Sequence, residues 1–180
     1  MLLLLSLLAH PASAQAPPPE PEKAAAKPTV PRFARTEVGT CGCAIYAPKG
    51  LVFDPPEKSP DGADVWMGSI PVDGWTYGAV VVKFPAPMEG DLEQLLISYM
   101  DFLKGQLSIT KAVGVGRGHT HSENPAAKGV IDYWEDKDGD SWAVKGWVDN
   151  TRLAVLFIYG KGEYPWFSAQ QMYLDSFRFK

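Results

Sequence analysis

Two short motifs in the sequence carry side chains that bind metal ions: Cys41 with Cys43, and His119 with His121. On an extended strand, residues i and i+2 point to the same side, so each motif would present its two ligands together. Two thiolates and two imidazoles would suit a tetrahedral zinc ion or a thiophilic copper ion. If the two strands meet, Cys41, Cys43, His119 and His121 form a zinc or copper site.

The same four residues allow simpler interpretations, which are favoured because no spacing in the sequence shows that the two pairs meet. Cys41 and Cys43 could form a local disulfide, because oxidation is favoured outside the cytoplasm, although so short a ring is strained. They could also remain two small thiols that fill a strand face. His119 and His121 lie beside Gly118 and a proline turn, which is typical of an exposed polar loop. These interpretations predict a protein without a cofactor.

A run of acidic residues, Asp136, Asp138 and Asp140, imitates the start of a calcium-binding loop. An EF-hand loop needs an acidic residue at its twelfth position, and counting from Asp136 that position is Trp147. The run is therefore predicted to form a solvated hairpin turn and not a calcium site.

Motifs for catalysis are incomplete in this sequence. The glycines of 114–118 and Arg117 could offer donors to a phosphate, but no helix follows them, as a dinucleotide loop requires. Ser122 follows His121 directly, and neighbouring residues on a strand point to opposite faces. The chain has no Gly-x-Ser-x-Gly elbow, and the sequence around Cys41 and Cys43 is not a papain-type nucleophile motif. We therefore expect no enzymatic activity.

The first residues predict export. Residues 2–8 are an apolar run too short to span a bilayer, and Ala12-Ser13-Ala14 is a signal-peptidase pattern. Residues 1–14 are therefore predicted to be a signal peptide, and residues 15–37, rich in proline, alanine and charge, a semi-rigid tether. No later stretch is apolar enough to span a membrane. The expected location is the periplasm or the cell exterior.

Residues 38–180 have the length of one domain. The net charge of −4 comes without a basic patch, which argues against nucleic acid as a partner. Hydrophobic periodicity and turn residues predict strands over 65–70 and 75–84, a helix from Asp91 with Gly105 just beyond its end, and a three-stranded antiparallel meander over 129–159. A last helix and strand follow, giving an α+β layered sandwich.

The order of these elements resembles the PsbP-like family. The residues that carry the resemblance are Gly50–Pro56, the long helix from Asp91, the meander from Gly129 to Tyr159, and the ending Leu174–Phe179. The resemblance covers most of residues 43–180. It implies an α/β/α sandwich with a mostly antiparallel sheet, and an exported, non-enzymatic accessory or binding module whose partner is another protein.

Aromatic residues are spread over both faces of the predicted meander. Trp142 and Trp147 have opposite parity on one strand, as do Tyr133 and Trp134 on another. One face could leave an open aromatic strip that binds a protein edge or an apolar ligand. Burial of both faces between two layers is the favoured interpretation, because a sandwich covers its sheet on both sides.

Overall fold

The computed structural model describes residues 31–164 and 166–180. The predicted signal peptide and residues 15–30 of the predicted tether lie outside this part of the chain. The described residues form, in chain order, β1 (Phe33–Glu37), β2 (Cys43–Pro48), β3 (Glu57–Lys58), β4 (Asp64–Val72), β5 (Trp75–Lys83), α1 (Leu92–Gln106), β6 (Ile109–Ala112), β7 (Gly116–Thr120), β8 (Lys128–Asp136), β9 (Ser141–Val148), β10 (Arg152–Gly160), α2 (Phe167–Leu174) and β11 (Arg178–Phe179).

The strands form two sheets. The large sheet has the order β3-β4-β5-β10-β9-β8-β6, and β7 also pairs with β8; the small sheet has the order β1-β2-β11. Every strand pairing is antiparallel. The predicted α+β class with a mostly antiparallel sheet is confirmed, and so is the meander of β8, β9 and β10.

The β4–β5 hairpin turns at Asp73 and Gly74, as their sequence predicts. Both residues have positive φ, 48° and 83°, which is what a two-residue type I′ turn requires. Val72 pairs with Trp75 across this turn. The turn therefore fixes which side chains of the two strands share a face.

Helix α1 begins where the sequence predicts. The Asp91 carboxylate accepts a hydrogen bond from the Gln94 amide at 3.1 Å, as an N-cap should. The predicted end was wrong: Gly105 lies within the helix, and the C-cap is Leu107, whose N–H bonds to the Leu103 carbonyl. Gly105 does not adopt positive φ, so the helix continues through it.

Side chains alternate between the two faces of the large sheet, and each face carries its own buried core. One face packs against α1 through Leu96, Met100 and Leu103. The other packs against the small sheet and α2, which contributes Tyr173 and Leu174. The two helices therefore lie on opposite faces of the large sheet, and the layer that holds α2 also holds the small sheet.

The tryptophans of the meander are buried on both faces. Trp142 belongs to the core beneath α1, and Trp147 to the core beneath the small sheet. Trp134 is buried as well, and Tyr133 is exposed. The favoured interpretation, burial between two layers, is confirmed for the three tryptophans.

The predicted end of the tether differs from the structure. The tether was expected to reach residue 37, but β1 pairs with β2 there, because Phe33 packs on Tyr46 and Tyr77. Residues 51–56, which carry part of the family resemblance, form no strand, although Leu51 is buried. The glycine-rich stretch contains β7, whose pairing with β8 shifts register between Gly116 and His119, as a β-bulge does. In the described ranges no helix has both the length and the apolar character needed to cross a membrane.

Candidate functional site

An apolar groove runs between α1 and the part of the large sheet that α1 leaves uncovered. Helix α1 packs chiefly on β6, β8 and β9. The side chains of β4, β5 and β10 on the same face therefore lie beside the helix without being covered by it. The groove has a volume of about 520 Å³, within the range of sites for small molecules, ~300–1,000 Å³.

The lining of the groove is almost entirely hydrocarbon and aromatic. Its floor consists of valines and a leucine from β5 and β10, and its opposite wall is the side of α1. The lining residues are Ser59, Asp61, Ala63, Val65, Met67, Val80, Val82, Phe84, Met88, Leu95, Tyr99, Phe102, Leu103, Gln106, Leu107, Trp134, Leu153, Val155 and Phe157.

Large apolar side chains at the mouth of the groove are open to solvent. Met67 is 54% exposed, Phe102 is 56% exposed and Met88 is 36% exposed. These three come from different elements, β4, α1 and the segment between β5 and α1, and they meet at one groove. Single exposed apolar residues are ordinary, but a cluster around a concave surface marks a place where another molecule binds.

The ring of Phe157 closes over β5 because residue 78 is a glycine. A Cβ on Gly78 would lie 2.5 Å from the Phe157 ring, closer than side-chain contacts allow. The carbonyl of Gly78 also accepts a hydrogen bond from the Tyr173 hydroxyl at 2.8 Å, which ties this position to the layer on the other face. Gly78 thus determines where the Phe157 side of the groove lies.

Four polar side chains line the groove: Ser59, Asp61, Tyr99 and Gln106. Burial raises the pKa of Tyr99 to about 12, so its hydroxyl keeps its proton and can donate a hydrogen bond at physiological pH. A hydrogen bond from the Ser59 hydroxyl, followed by backbone amide bonds, lowers the pKa of Asp61. The lining contains no lysine, arginine or histidine.

The two predicted metal-ligating histidines lie on the opposite face of the large sheet. His119 and His121 line one cleft of about 320 Å³ with Lys145, Trp147 and Asp175. They therefore share a side, as the i, i+2 spacing predicts, although β7 is bulged and ends at residue 120. His119 is partly exposed, whereas His121 is buried.

Both ring nitrogens of His121 are used by the backbone. Nε2 lies 2.7 Å from the carbonyl oxygen of Phe177 and must donate to it. Nδ1 accepts from the amides of Glu123 and Asn124, each at 3.2 Å. The imidazole therefore connects the end of β7 to the residues before β11, with no nitrogen lone pair left for a metal ion.

The four predicted metal ligands are not brought together. Cys41 and Cys43 are joined by a disulfide, which was the alternative interpretation of this pair. Across residues 31–164 and 166–180, no group of three or more His, Cys, Asp or Glu side chains is placed to hold a metal ion. The disulfide occupies both sulfurs and the backbone occupies the His121 ring, so the predicted quartet is not assembled here.

The histidine cleft holds an ion pair at its base. The Lys145 ammonium bonds to the Asp175 carboxylate and lies 4.7 Å from the centre of the Trp147 ring. Burial, and then the positive charge of Lys145, lower the pKa of His119. In the described part of the chain, no serine hydroxyl hydrogen-bonds to His119 or His121, so the cleft lacks a nucleophile and base held together as hydrolases hold them.

The acidic run that resembles a calcium loop is a structural turn. The Asp136 carboxylate accepts bonds from the Trp142 indole at 3.0 Å and from the amides of Asp138 and Asp140, each at 2.9 Å. Burial by itself would raise the pKa of Asp136, but these hydrogen bonds outweigh it and lower the pKa. Its oxygens bond within the β8–β9 turn, which confirms the predicted hairpin, but Asp136 is buried there and not solvated as expected.

The groove was not predicted from the sequence. The polar residues of its lining lie in a loop and in a helix for which no binding role was predicted from the sequence. One signal was available in the sequence: apolar residues of β4 and β5 lie next to each other on the α1 face, where Met67 pairs with Val80. No protein-family model matches this chain, and no curated protein matches it.

Proposed function

We propose that this chain is an exported, non-enzymatic binding module that holds a small apolar molecule in the groove between α1 and β4, β5 and β10. The observation that carries the proposal is the combination of a hydrocarbon lining, a volume of about 520 Å³ and an exposed apolar mouth. Such a concavity gains free energy when an apolar ligand displaces its water.

The resemblance to PsbP-like domains suggests a protein as the partner. The shape of the groove instead favours a small molecule. The floor residues Val80, Val82 and Val155 are buried, so a guest must enter a recess rather than lie on a flat face. Protein contact is the second candidate, and the exposure of Met67 and Phe102 at the mouth is the observation that favours it.

Other features support the remaining parts of the proposal. Two helices on opposite faces of an antiparallel sheet agree with a PsbP-like domain. The disulfide between Cys41 and Cys43 supports export, because disulfides persist mainly in oxidising compartments. Recovery of the protein from the periplasm or medium, with an N-terminus at residue 15, would test the predicted signal peptide directly.

Binding can be tested with N-phenyl-1-naphthylamine, a neutral dye that fluoresces strongly only in apolar surroundings. We expect the mature protein to bind the dye saturably, with about one site per chain. Val80→Phe would fill the floor and abolish the fluorescence increase. Val52→Phe is the matched control: Val52 is 73% exposed and does not line the groove, so this variant should bind the dye like the parent.

A second variant covers the case in which Val80→Phe does not fold. Met67→Trp places a larger side chain at the mouth of the groove. Because Met67 is 54% exposed, this change should not disturb the packing of the core. It should weaken dye binding. If neither the parent protein nor Val52→Phe binds the dye, the proposed function is wrong. If the dye binds equally well to parent and Val80→Phe, the binding site is elsewhere.

A further inference from the structure

We infer that the ligand of the apolar groove is an amphiphile whose polar end is a cation, such as a protonated amine, and that the groove discriminates against amphiphiles with a carboxylate. This inference rests on the proposed function, because it concerns the chemical class of molecule that the groove accepts. It follows from the distribution of charge around the lining.

Asp61 is the only charged residue among those that line the groove. The polar groups nearest to it in sequence belong to the same loop between β3 and β4, where the Ser59 hydroxyl bonds to the Asp61 carboxylate and accepts from the Ala63 amide at 2.9 Å. This loop therefore presents a carboxylate that is held in place by its neighbours. Ser59, Asp61 and Ala63 all line the groove, so the charged end and the apolar recess are continuous.

Two lysines that neighbour lining residues in sequence, Lys58 and Lys104, are already paired with carboxylates. Lys58 lies 2.7 Å from Asp64. The Lys104 ammonium sits over the Trp134 ring and lies 3.0 Å from Asp101 and 2.9 Å from Asp132. Neither lysine offers an uncompensated positive charge to a ligand. Among the residues that line the groove, an anionic headgroup would therefore meet one negative charge and no positive charge.

Tail and head of the ligand would have separate roles. The apolar tail supplies affinity by burial against Val80, Val155 and the side of α1, and burial is indifferent to the charge of the head. The head supplies selectivity through its interaction with Asp61. Because Asp61 is exposed to solvent and screened, the preference should be modest: up to about fivefold in affinity for a single exposed ion pair.

The test compares three ligands with the same tail, dodecylamine, dodecanol and dodecanoate, in displacing N-phenyl-1-naphthylamine from the full mature protein at neutral pH. Each ligand is used below the concentration at which it forms micelles or separates from solution. We expect dodecylamine to displace the dye at the lowest concentration, dodecanol next and dodecanoate last. Asp61→Asn should remove the difference between amine and alcohol while leaving displacement by dodecanol unchanged.

The matched control is Asp138→Asn, the same chemical change at an exposed turn carboxylate outside the lining; it should retain the full preference for the amine. Equal displacement by all three ligands, or strongest displacement by dodecanoate, would overturn the inference and leave the groove as a binding site. Absence of dye binding would overturn the proposed function instead. A dimer that binds dye only after dissociation would assign the groove to a second copy of the chain and overturn both.

Discussion

The Nζ of Lys104 lies 2.9 Å from Oδ2 of Asp132, and this ion pair joins α1 to β8 through a carboxylate that is fully buried. The same carboxylate accepts bonds from the Trp134 indole at 2.7 Å and from the amides of Tyr133 and Gly114. The pair holds the C-terminal half of α1 over β8. It therefore helps to hold α1 on the β8 side of the large sheet, and the groove lies beside the helix over β4 and β5.

Loss of the Asp132 charge should destabilise the protein strongly. Asp132→Asn would place an amide N–H₂ against the Trp134 indole or the Lys104 ammonium, and leave the partly buried Lys104 with only the exposed Asp101 carboxylate as an ionic partner. Removing one member of a buried pair costs about 3–5 kcal/mol. Urea unfolding, followed by tryptophan fluorescence, measures the change in the free energy of unfolding.

The control for this prediction is the exposed ion pair between Lys111 of β6 and Glu135 of β8. Glu135→Gln should change the free energy of unfolding by less than about 1 kcal/mol. Similar losses for Asp132→Asn and Glu135→Gln would contradict the view that Asp132 anchors the helix.

The state of the two cysteines separates the disulfide from the metal site. We expect no reactive thiols in the mature protein, either folded or in denaturant, and two after reduction. Closing a ring as small as that from Cys41 to Cys43 removes little entropy from the unfolded chain, so reduction should cost only about 1–2 kcal/mol. Thiols that react only after a chelator is added, together with about one zinc or copper ion per chain, would instead support the quartet with His119 and His121.

The lowered pKa of His119 predicts a pH dependence of stability. Its unperturbed value is 6.5, and burial together with Lys145 lowers it in the folded chain. As pH falls through 6.5 the unfolded chain binds more protons than the folded chain, so the free energy of unfolding decreases until the pH is below the folded-state pKa.

His119→Gln should flatten this dependence relative to the parent between about pH 7.5 and pH 5. Urea unfolding at several pH values checks the difference, and titration of the His119 ring protons by NMR gives the pKa directly. A steeper decrease of stability with falling pH in the variant than in the parent would contradict the sign of the shift.

Asp136 should contribute to the stability of the fold and should not bind calcium. Asp136→Asn would turn an amide N–H₂ toward the Trp142 indole and leave a buried donor unsatisfied, at a cost of about 1–3 kcal/mol. The exposed Asp138→Asn should have an effect within about 0.5 kcal/mol. Calcium at about 1 mM should leave the thermal midpoint of the parent protein unchanged; a clear increase would identify a calcium site that the hydrogen bonds of Asp136 argue against.

Local signals predicted much of this fold because their causes lie within a few residues. Asp73 and Gly74 supply the positive φ angles of a tight hairpin, and Asp91 caps a helix three residues ahead of the amide it accepts from. The meander followed from turns too short for parallel crossovers. None of these features depends on a distant part of the chain.

The groove and the role of His121 depend on distant contacts, and the sequence does not specify them locally. His121 bonds to Phe177, 56 residues away, and the spacing of His119 and His121 is equally consistent with a metal site. The position of α1 depends on Asp132 and on Gly146, where a Cβ would lie 2.6 Å from the Leu96 side chain. Both faces of β5 are apolar, so periodicity alone cannot tell which part of one face stays uncovered.

The small sheet places β2 between the first and the last described strands, β1 and β11. A chain that emerges from its N-terminus, during synthesis or translocation, can pair β1 with β2 early, but the other edge of β2 stays open until Arg178 and Phe179 follow. The core beneath the small sheet also cannot be completed until Tyr173 and Phe177 are present. Folding should therefore finish only as a late, non-local step, and until then the open strand edge is a place where a chaperone can bind or where chains can aggregate.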